Sequence, residues 1–260
     1  MAHSTPVDAL LLPGGITPAG LAYADLLAAF DGAVHARTKE LEVYIGPDVP
    51  PAGYSENTEV AGISRAALEA GFDRFHLVGY SAGGAAALAF ALADPGRLVS
   101  LTLAEAAWAG TEGRTPDEVA ATQRPLDAIA LPPEQMLPAF VRAQLEDGVD
   151  PPPPPEGPPP PWMGSRPRGT AAIARAMQAH PYPLDGMRAF RPPVLFVLGG
   201  KSRQAYYGLM AERLGSVFPD FALARFPERH HFDPPHRAEP DRYARVLEEH
   251  WRRAEALAQP

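Results

Sequence analysis

The sequence has 260 residues, 46% of them hydrophobic, 23 Lys and Arg against 31 Asp and Glu for a formal net charge of −8, and no cysteine. This suits one α/β domain with an insertion, or a domain plus a small subdomain, with enough apolar content to bury a core, so disorder of the whole chain is excluded. The acidic balance opposes nucleic acid and an anionic membrane surface as partners, and without cysteine a disulfide, a thiolate-bound zinc and a cysteine nucleophile are all excluded.

Val7 to Leu12 reads as a first strand, stopped by Pro13-Gly14-Gly15, and from Pro18 or Ala19 to Phe30 apolar residues recur at helical spacing. No Lys or Arg precedes the apolar run Ala9–Leu12, which is too short for a signal peptide or a membrane span, so a cytoplasmic protein is expected. Leu41 to Ile45 alternates as a second strand, 47–54 is a loop, and Thr58 to Ala70 reads as a helix closed by Gly71. Phe75 to Val78 is a short apolar run ending at Gly79-Tyr80-Ser81-Ala82-Gly83, after which an Ala- and Leu-rich helix runs to the stop signal Asp94-Pro95-Gly96. Val99 to Leu103 is the next strand, with Glu105 just beyond its carboxyl end, where open α/β sheets place their sites.

From Ala106 to about Pro192 the alternation of strand and helix stops. Helical patterns occupy Thr115 to Gln123, Pro133 to Leu145, expected to kink or begin at Pro138, and Gly169 to Ala179. Between the last two, Asp150 to Pro161 is almost pure proline, which favours polyproline II and serves as a semi-rigid strap or as a docking segment for a proline-recognising partner. Pro193 to Leu198 resumes the sheet, Gly199-Gly200 turns it, and Ala205 to Leu214 is a helix. Phe221 to Phe226 is the last strand, and a helix from about Pro240 to Leu257 covers the sheet with Tyr243, Val246, Leu247 and Trp251. The expected organisation is a core of residues 1–105 and 193–260, with a helical cap at 106–192 and a proline-rich strap at 150–161.

The Gly-x-Ser-x-Gly at 79–83 lies between a strand and a helix, the setting in which it makes a sharp turn with the serine hydroxyl at its apex. Small residues there also serve plain helix–strand packing, and Gly14-Gly15 reads either as a simple turn or as a loop of free amides beside the serine. A serine hydroxyl becomes a nucleophile when a base takes its proton and a carboxylate orients the base. The chain offers that series in the order Ser81, Glu105, His231. The His230-His231 pair also reads as a strand-end cap, with His236 as a more remote base.

These features, over nearly the whole chain, resemble the α/β-hydrolase fold superfamily. The resemblance rests on Leu12-Pro13-Gly14-Gly15 where the family has its His-Gly loop, the Gly79–Gly83 turn, Pro193–Gly199 as the late strand, and Phe226–Phe232 before the final helix. It implies a mostly parallel sheet flanked by helices with an inserted helical cap, Ser81 as nucleophile, His231 as base, and an oxyanion hole from the backbone N–H of Ala82 and one from Gly15 or Ile16. The acid departs from the commonest pattern, since the loop after the late strand, Gly199 to Gln204, holds no carboxylate. The segment Leu103-Ala104-Glu105-Ala106 is similar to the placement one strand earlier in certain haloalkane dehalogenases, which implies Glu105 as acid. That likeness ends at Ser81, because dehalogenases need a carboxylate nucleophile.

Tyr80 beside the serine, and Trp108, Trp162, Met163 and His180 in or near the cap, are the candidate substrate-binding residues, suited to an uncharged, apolar acyl or alcohol part or to the cap's own small core. The expected activity is a serine hydrolase acting on a small, largely apolar carboxylic ester, thioester or lactone, with no cofactor and no metal. Carbon–carbon bond hydrolysis or cofactor-free peroxidation on the same scaffold, and a non-catalytic ligand-binding protein, stay open at this point.

Overall fold

The structure is a computed structural model that describes residues 7–153 and 157–258; positions 154–156 of the predicted strap lie outside the described residues. Six strands form one parallel sheet: β1 (Val7–Leu12), β2 (Val34–Thr38), β3 (Phe75–Tyr80), β4 (Leu98–Ala104), β5 (Val194–Gly199) and β6 (Phe221–Phe226), in the order β2-β1-β3-β4-β5-β6. β4 and β5 are buried along their whole length, and β3 up to Tyr80, as expected of central strands covered on both faces.

Alternate residues of each strand feed two cores. Ala9, Leu11, Val78, Leu195 and Val197 meet α1 (Ala19–Ala22), α2 (Ala24–Ala29) and, through Tyr243, Leu247 and Trp251, the long helix α11 (Pro240–Ala258) that follows the short α10 (Pro235–Ala238). On the other face Leu10, Leu12, Leu77, Leu101, Leu103 and Phe196 pack with α3 (Glu56–Glu69) and α4 (Ala82–Ala93). The chain turns from β1 to β2 on one side and returns to β3 on the other. The crevice between the carboxyl ends of β1 and β3 is therefore a topological switch point.

The expected second strand is displaced. Leu41–Ile45 is not extended ladder; Glu42–Tyr44 forms a single 3₁₀ turn, and the N–H groups of Glu42 and Val43 donate to the buried Glu59 carboxylate at 2.9 and 3.2 Å. A side chain satisfies these amides, so they need no strand partner. The true edge strand, Val-His-Ala-Arg-Thr, is half-exposed and its mixed composition hides the alternation. The predicted 19–30 helix is two short helices broken at Tyr23, whose buried hydroxyl donates to the Leu12 carbonyl at 2.7 Å.

Between β4 and β5 lie α5 (Pro116–Ile129), α6 (Pro133–Ala143), a 3₁₀ turn at Pro161–Ser165, α7 (Arg166–Ala179) and α8 (Leu184–Ala189). α5 continues through Pro125 beyond its expected end, and Pro138 sits inside α6. These helices differ in how they join the core. Ala172, Ile173 and Met177 of α7, with Met187 and Phe190 at α8, belong to the same buried cluster as α4 and the strands, whereas α5 and α6 add no buried residue to it. The predicted helix 205–214 opens with one π-helical turn, Gln204–Gly208, before α9 (Leu209–Val217).

Candidate active site

The β3–α4 turn is as tight as backbone allows. A Cβ on Gly79 would come within 2.7 Å of the Gly84 Cα, and one on Gly83 within 2.7 Å of the Leu12 carbonyl oxygen. Ser81 between them has φ 54° and ψ −117°, a strained conformation for a side-chain-bearing residue. Its carbonyl accepts from the N–H of Ala107 at 2.8 Å, and its N–H donates to the Ala104 carbonyl at 3.1 Å, so the turn is tied to the end of β4.

That end carries Glu105, the other non-glycine residue with positive φ (46°) among the described residues. Its N–H donates to the Val197 carbonyl at 3.1 Å, and its Oε1 accepts from the Gly199 N–H at 2.7 Å. The loop after β5 lacks a carboxylate of its own, but the last residue of that strand supplies the amide that aims this one. Oε2 of Glu105 then lies 3.0 Å from His231 Nδ1, and His231 Nε2 lies 3.0 Å from Ser81 Oγ. All three residues are buried, with 5, 1 and 8% exposure for Glu105, His231 and Ser81. Because the carboxylate accepts at Nδ1, the proton of neutral His231 sits there and Nε2 presents a lone pair to the serine.

The tyrosine before Ser81 braces this geometry. Tyr80 donates its hydroxyl to the His231 carbonyl, and its ring packs 5.1 Å from the imidazole. Burial and the Glu105 charge push its phenol above the usual range, so it stays protonated. His230 faces elsewhere, with Nδ1 accepting from the N–H groups of Phe232 and Asp233. His236 lies on the cavity wall, buried between Tyr23 and Tyr80 with ring centroids 4.8 Å from each, and desolvation pushes its pKa down to about 3, leaving it neutral.

Gly15, Ile16 and Ala82 line the same cavity. Among the described residues none accepts a hydrogen bond from their N–H groups. Ala82 is the first residue of α4, where helix amides and dipole favour negative charge. Tyr44 donates to the Gly15 carbonyl at 2.6 Å, and since a trans peptide directs its N–H opposite to its C=O, this contact fixes the direction of the Ile16 N–H.

The cavity has a volume of about 110 Å³ and is walled mainly by Ile16, Leu126, Ile129, Phe140, Ile173 and Met177. Tyr80 and Trp108 lie on it. Trp162, Met163 and His180 do not: Trp162 is a platform for the Arg166 guanidinium at 5.3 Å, Met163 sits in the 3₁₀ turn before α7, and His180 meets Tyr182 edge-on beside separate surface clefts. Trp162 and His180 thus meet side chains of their own segment, Arg166 and Tyr182. Tyr44, Gln144, Tyr206 and Tyr207 are absent from the sequence-based expectation. The adjacent tyrosines next to the carboxylate-free loop are a signal that could have drawn notice; Gln144 offers none. Among the described residues no three His, Asp or Glu side chains gather to hold a metal ion, and no helix is long and apolar enough to cross a membrane.

No curated protein sequence matches the chain. Among solved structures it is similar to a thermophilic esterase from Thermogutta terrifontis (TM-score 0.70, 18% identity, 96% of this chain and 91% of the other covered). It is also similar to naproxen esterase from Bacillus subtilis (0.61, 12%, 94% and 83%) and to a meta-cleavage product hydrolase from Pseudomonas fluorescens IP01 (0.63, 17%, 96% and 92%). At these identities the likeness concerns the fold. The sequence profile of the Alpha/beta hydrolase family matches residues 9–246, from within β1 through β6 and including the Ser81, Glu105 and His231 turns, and the chain belongs to that family.

Proposed function

We propose that the protein is a serine hydrolase that cleaves a small, largely apolar carboxylic ester, thioester or lactone through an acyl-enzyme on Ser81. The observation that carries this reading is the unbroken series Glu105–His231–Ser81, each contact 3.0 Å, ending at a serine that opens a helix and faces a mostly apolar cavity. Ser81 Oγ attacks the carbonyl carbon as its proton passes to His231 Nε2; Glu105 steadies the imidazolium from Nδ1. The oxyanion is held by the N–H of Ala82 and that of Ile16, the latter directed by Tyr44. Losing one such donor typically costs about 10²–10³ in rate. His231 returns the proton to the leaving alcohol or thiol, and water repeats the sequence on the acyl-enzyme.

Cavity size argues for a short acyl part. A volume of about 110 Å³ is of the order of the roughly 150 Å³ apolar cavity that accommodates a benzene ring, so it suits a group of about that size. The test is turnover of p-nitrophenyl acyl esters of increasing chain length, with matched thioesters and lactones, by the wild-type protein and Ser81→Ala. The reading expects turnover that peaks at short chains and is lost in Ser81→Ala. Turnover independent of Ser81, or none on any of the three classes, would overturn it.

A further inference from the structure

Arg166 opens α7 in a place that folding alone does not reward. It is 4% exposed, it stands at a helix N-terminus where the dipole disfavours a cation, and its Nε and Nη1 find no hydrogen-bond partner among the described residues. Among those residues the one carboxylate oxygen within reach, Glu40 Oε1, is 4.0 Å from Nη1 and already accepts from the Leu41 N–H at 3.0 Å. The guanidinium lies instead over the ring of Tyr44, 3.7 Å from its centroid, with the Trp162 ring at 5.3 Å. We infer that Arg166 is a positioning residue for the oxyanion hole, acting through the Tyr44 phenol on the Ile16 N–H. This rests on the serine-hydrolase reading above.

Each link polarises the next in the same direction. The positive charge over the ring stabilises electron density drawn in from the hydroxyl, so the O–H becomes a stronger donor. Tyr44 gives that hydrogen to the Gly15 carbonyl at 2.6 Å, at the short end for O–H···O. The carbonyl shares its peptide group with the Ile16 N–H, and hydrogen bonds in series strengthen one another, so a pull on the oxygen makes the N–H a better donor. That N–H has no acceptor among the described residues. Its full interaction arises when the carbonyl oxygen of a bound ester takes on charge. Burial raises the Tyr44 phenol above its usual range, while Thr170 and the Arg166 charge pull it back, so the group stays protonated and able to donate.

The local sequence makes room for this arrangement. A Cβ on Gly169, three residues after Arg166 and on the same helix face, would collide with Tyr44 Cε1, so the ring enters α7 where a side chain is missing. Glycine inside a helix costs backbone entropy, and the space it leaves here holds Tyr44. Thr170 and Ile173 of the same helix line the cavity, and a Cβ on Gly15 would meet the Ile173 Cδ1 at 3.5 Å. α7 therefore touches both the cavity and the loop that carries Gly15. Trp162, expected from the sequence as a substrate contact, belongs to the support of this cation.

Four variants test the inference: Tyr44→Phe, Arg166→Met, the two together, and Arg166→Lys, each checked for wild-type near-ultraviolet dichroism. Arg166→Gln replaces Arg166→Met should the latter not fold. The readout is kcat and KM on a short p-nitrophenyl ester. Tyr44→Phe should lower kcat about tenfold, less than the roughly 10²–10³ lost with a whole oxyanion donor, with KM held within about twofold. Arg166→Met, similar in length but uncharged, should lower kcat about three- to tenfold, and the double variant should be no slower than Tyr44→Phe. Arg166→Lys keeps the charge and loses the planar stack, so its kcat should fall between those of Arg166→Met and the wild type. Packing alone would leave Arg166→Met at least as active as Arg166→Lys. That order, losses that multiply in the double variant, a raised KM at unchanged kcat, or wild-type kcat in Arg166→Met would overturn the inference alone. A folded wild type that turns over no ester, thioester or lactone would overturn the hydrolase reading and this inference with it.

Discussion

The shelf at the carboxyl ends of β3, β4 and β5 and the roof formed by α5 and α6 are built on opposite terms. In the shelf each turn is bound to the next: Ser81 to Ala104 and Ala107, Glu105 to Val197 and Gly199. Two non-glycine residues are held at positive φ there, a cost of order 1–3 kcal/mol each that surrounding contacts must offset. The roof has the reverse character. α5 and α6 contribute no buried residue to the sheet's main clusters, each is interrupted by a proline that removes a helical hydrogen bond, and the nearby Arg124–Asp147 pair is 49% and 82% exposed. The residues proposed to do the chemistry sit on the shelf, and the cavity walls come largely from the roof and from α7. The exception is the end of α6, where Gln144 and Glu146 are fastened to the loop after β5.

The largest effect should come from breaking the shelf without unfolding it. Glu105→Gln keeps the size of the side chain and an acceptor, so the fold should survive. Turnover should fall by about 10⁴, as when the orienting carboxylate of a serine triad is neutralised. Turnover within a few-fold of wild type would remove Glu105 from the acid's role.

A second test uses titration, because the buried groups with strongly moved pKa values lie on the core side. Desolvation holds His250 of α11 down to about 4 and His236 to about 3, both below an unfolded value near 6.5. Their contribution to stability is present above pH 6.5 and is lost as pH falls toward 4 and 3, at up to about 1.4 kcal/mol per pH unit for each. Glu56 at the start of α3 runs the other way. Burial and then the Glu59 charge raise it to about 8, so the stability it lends is whole below pH 4.5 and is lost as pH rises to 8. Urea unfolding across pH 4 to 8 should show a shallower acid limb in His250→Gln and less alkaline loss in Glu56→Gln. Unchanged limbs in both would contradict this assignment.

The smallest stability effect is expected in the roof. Phe140→Ala enlarges the cavity from a half-buried position on α6. It should move the preferred acyl length upward and change KM up to about tenfold, the range one apolar contact provides, while shifting unfolding by under about 1 kcal/mol. A loss of several kcal/mol would mean that α6 belongs to the cooperative core.

Much of the shelf is legible from the sequence because local rules produce it. Apolar runs mark every strand except β2, and Gly79 and Gly83 announce the turn that strains Ser81. The reach from Glu105 to His231 is foreshadowed by chain order, but the Gly199 amide that aims the carboxylate is a sheet-neighbour effect. β2 is hidden because an edge strand keeps polar residues. Tyr44, Gln144 and Tyr207 are hidden for a different reason: each meets the site through one hydroxyl or amide placed by tertiary packing, and no periodicity records such a contact. Trp162, Met163 and His180 show the converse, since aromatic and sulfur-bearing side chains near a site look like substrate contacts in a string even when they pack elsewhere.

The most direct measurement of the central claim is intact mass after exposure to a small fluorophosphonate, with Ser81→Ala as control. An activated Ser81 predicts one adduct per chain, absent in the control. A folded wild-type protein that takes up no adduct, or an adduct that persists in Ser81→Ala, would contradict the assignment of Ser81 as the nucleophile.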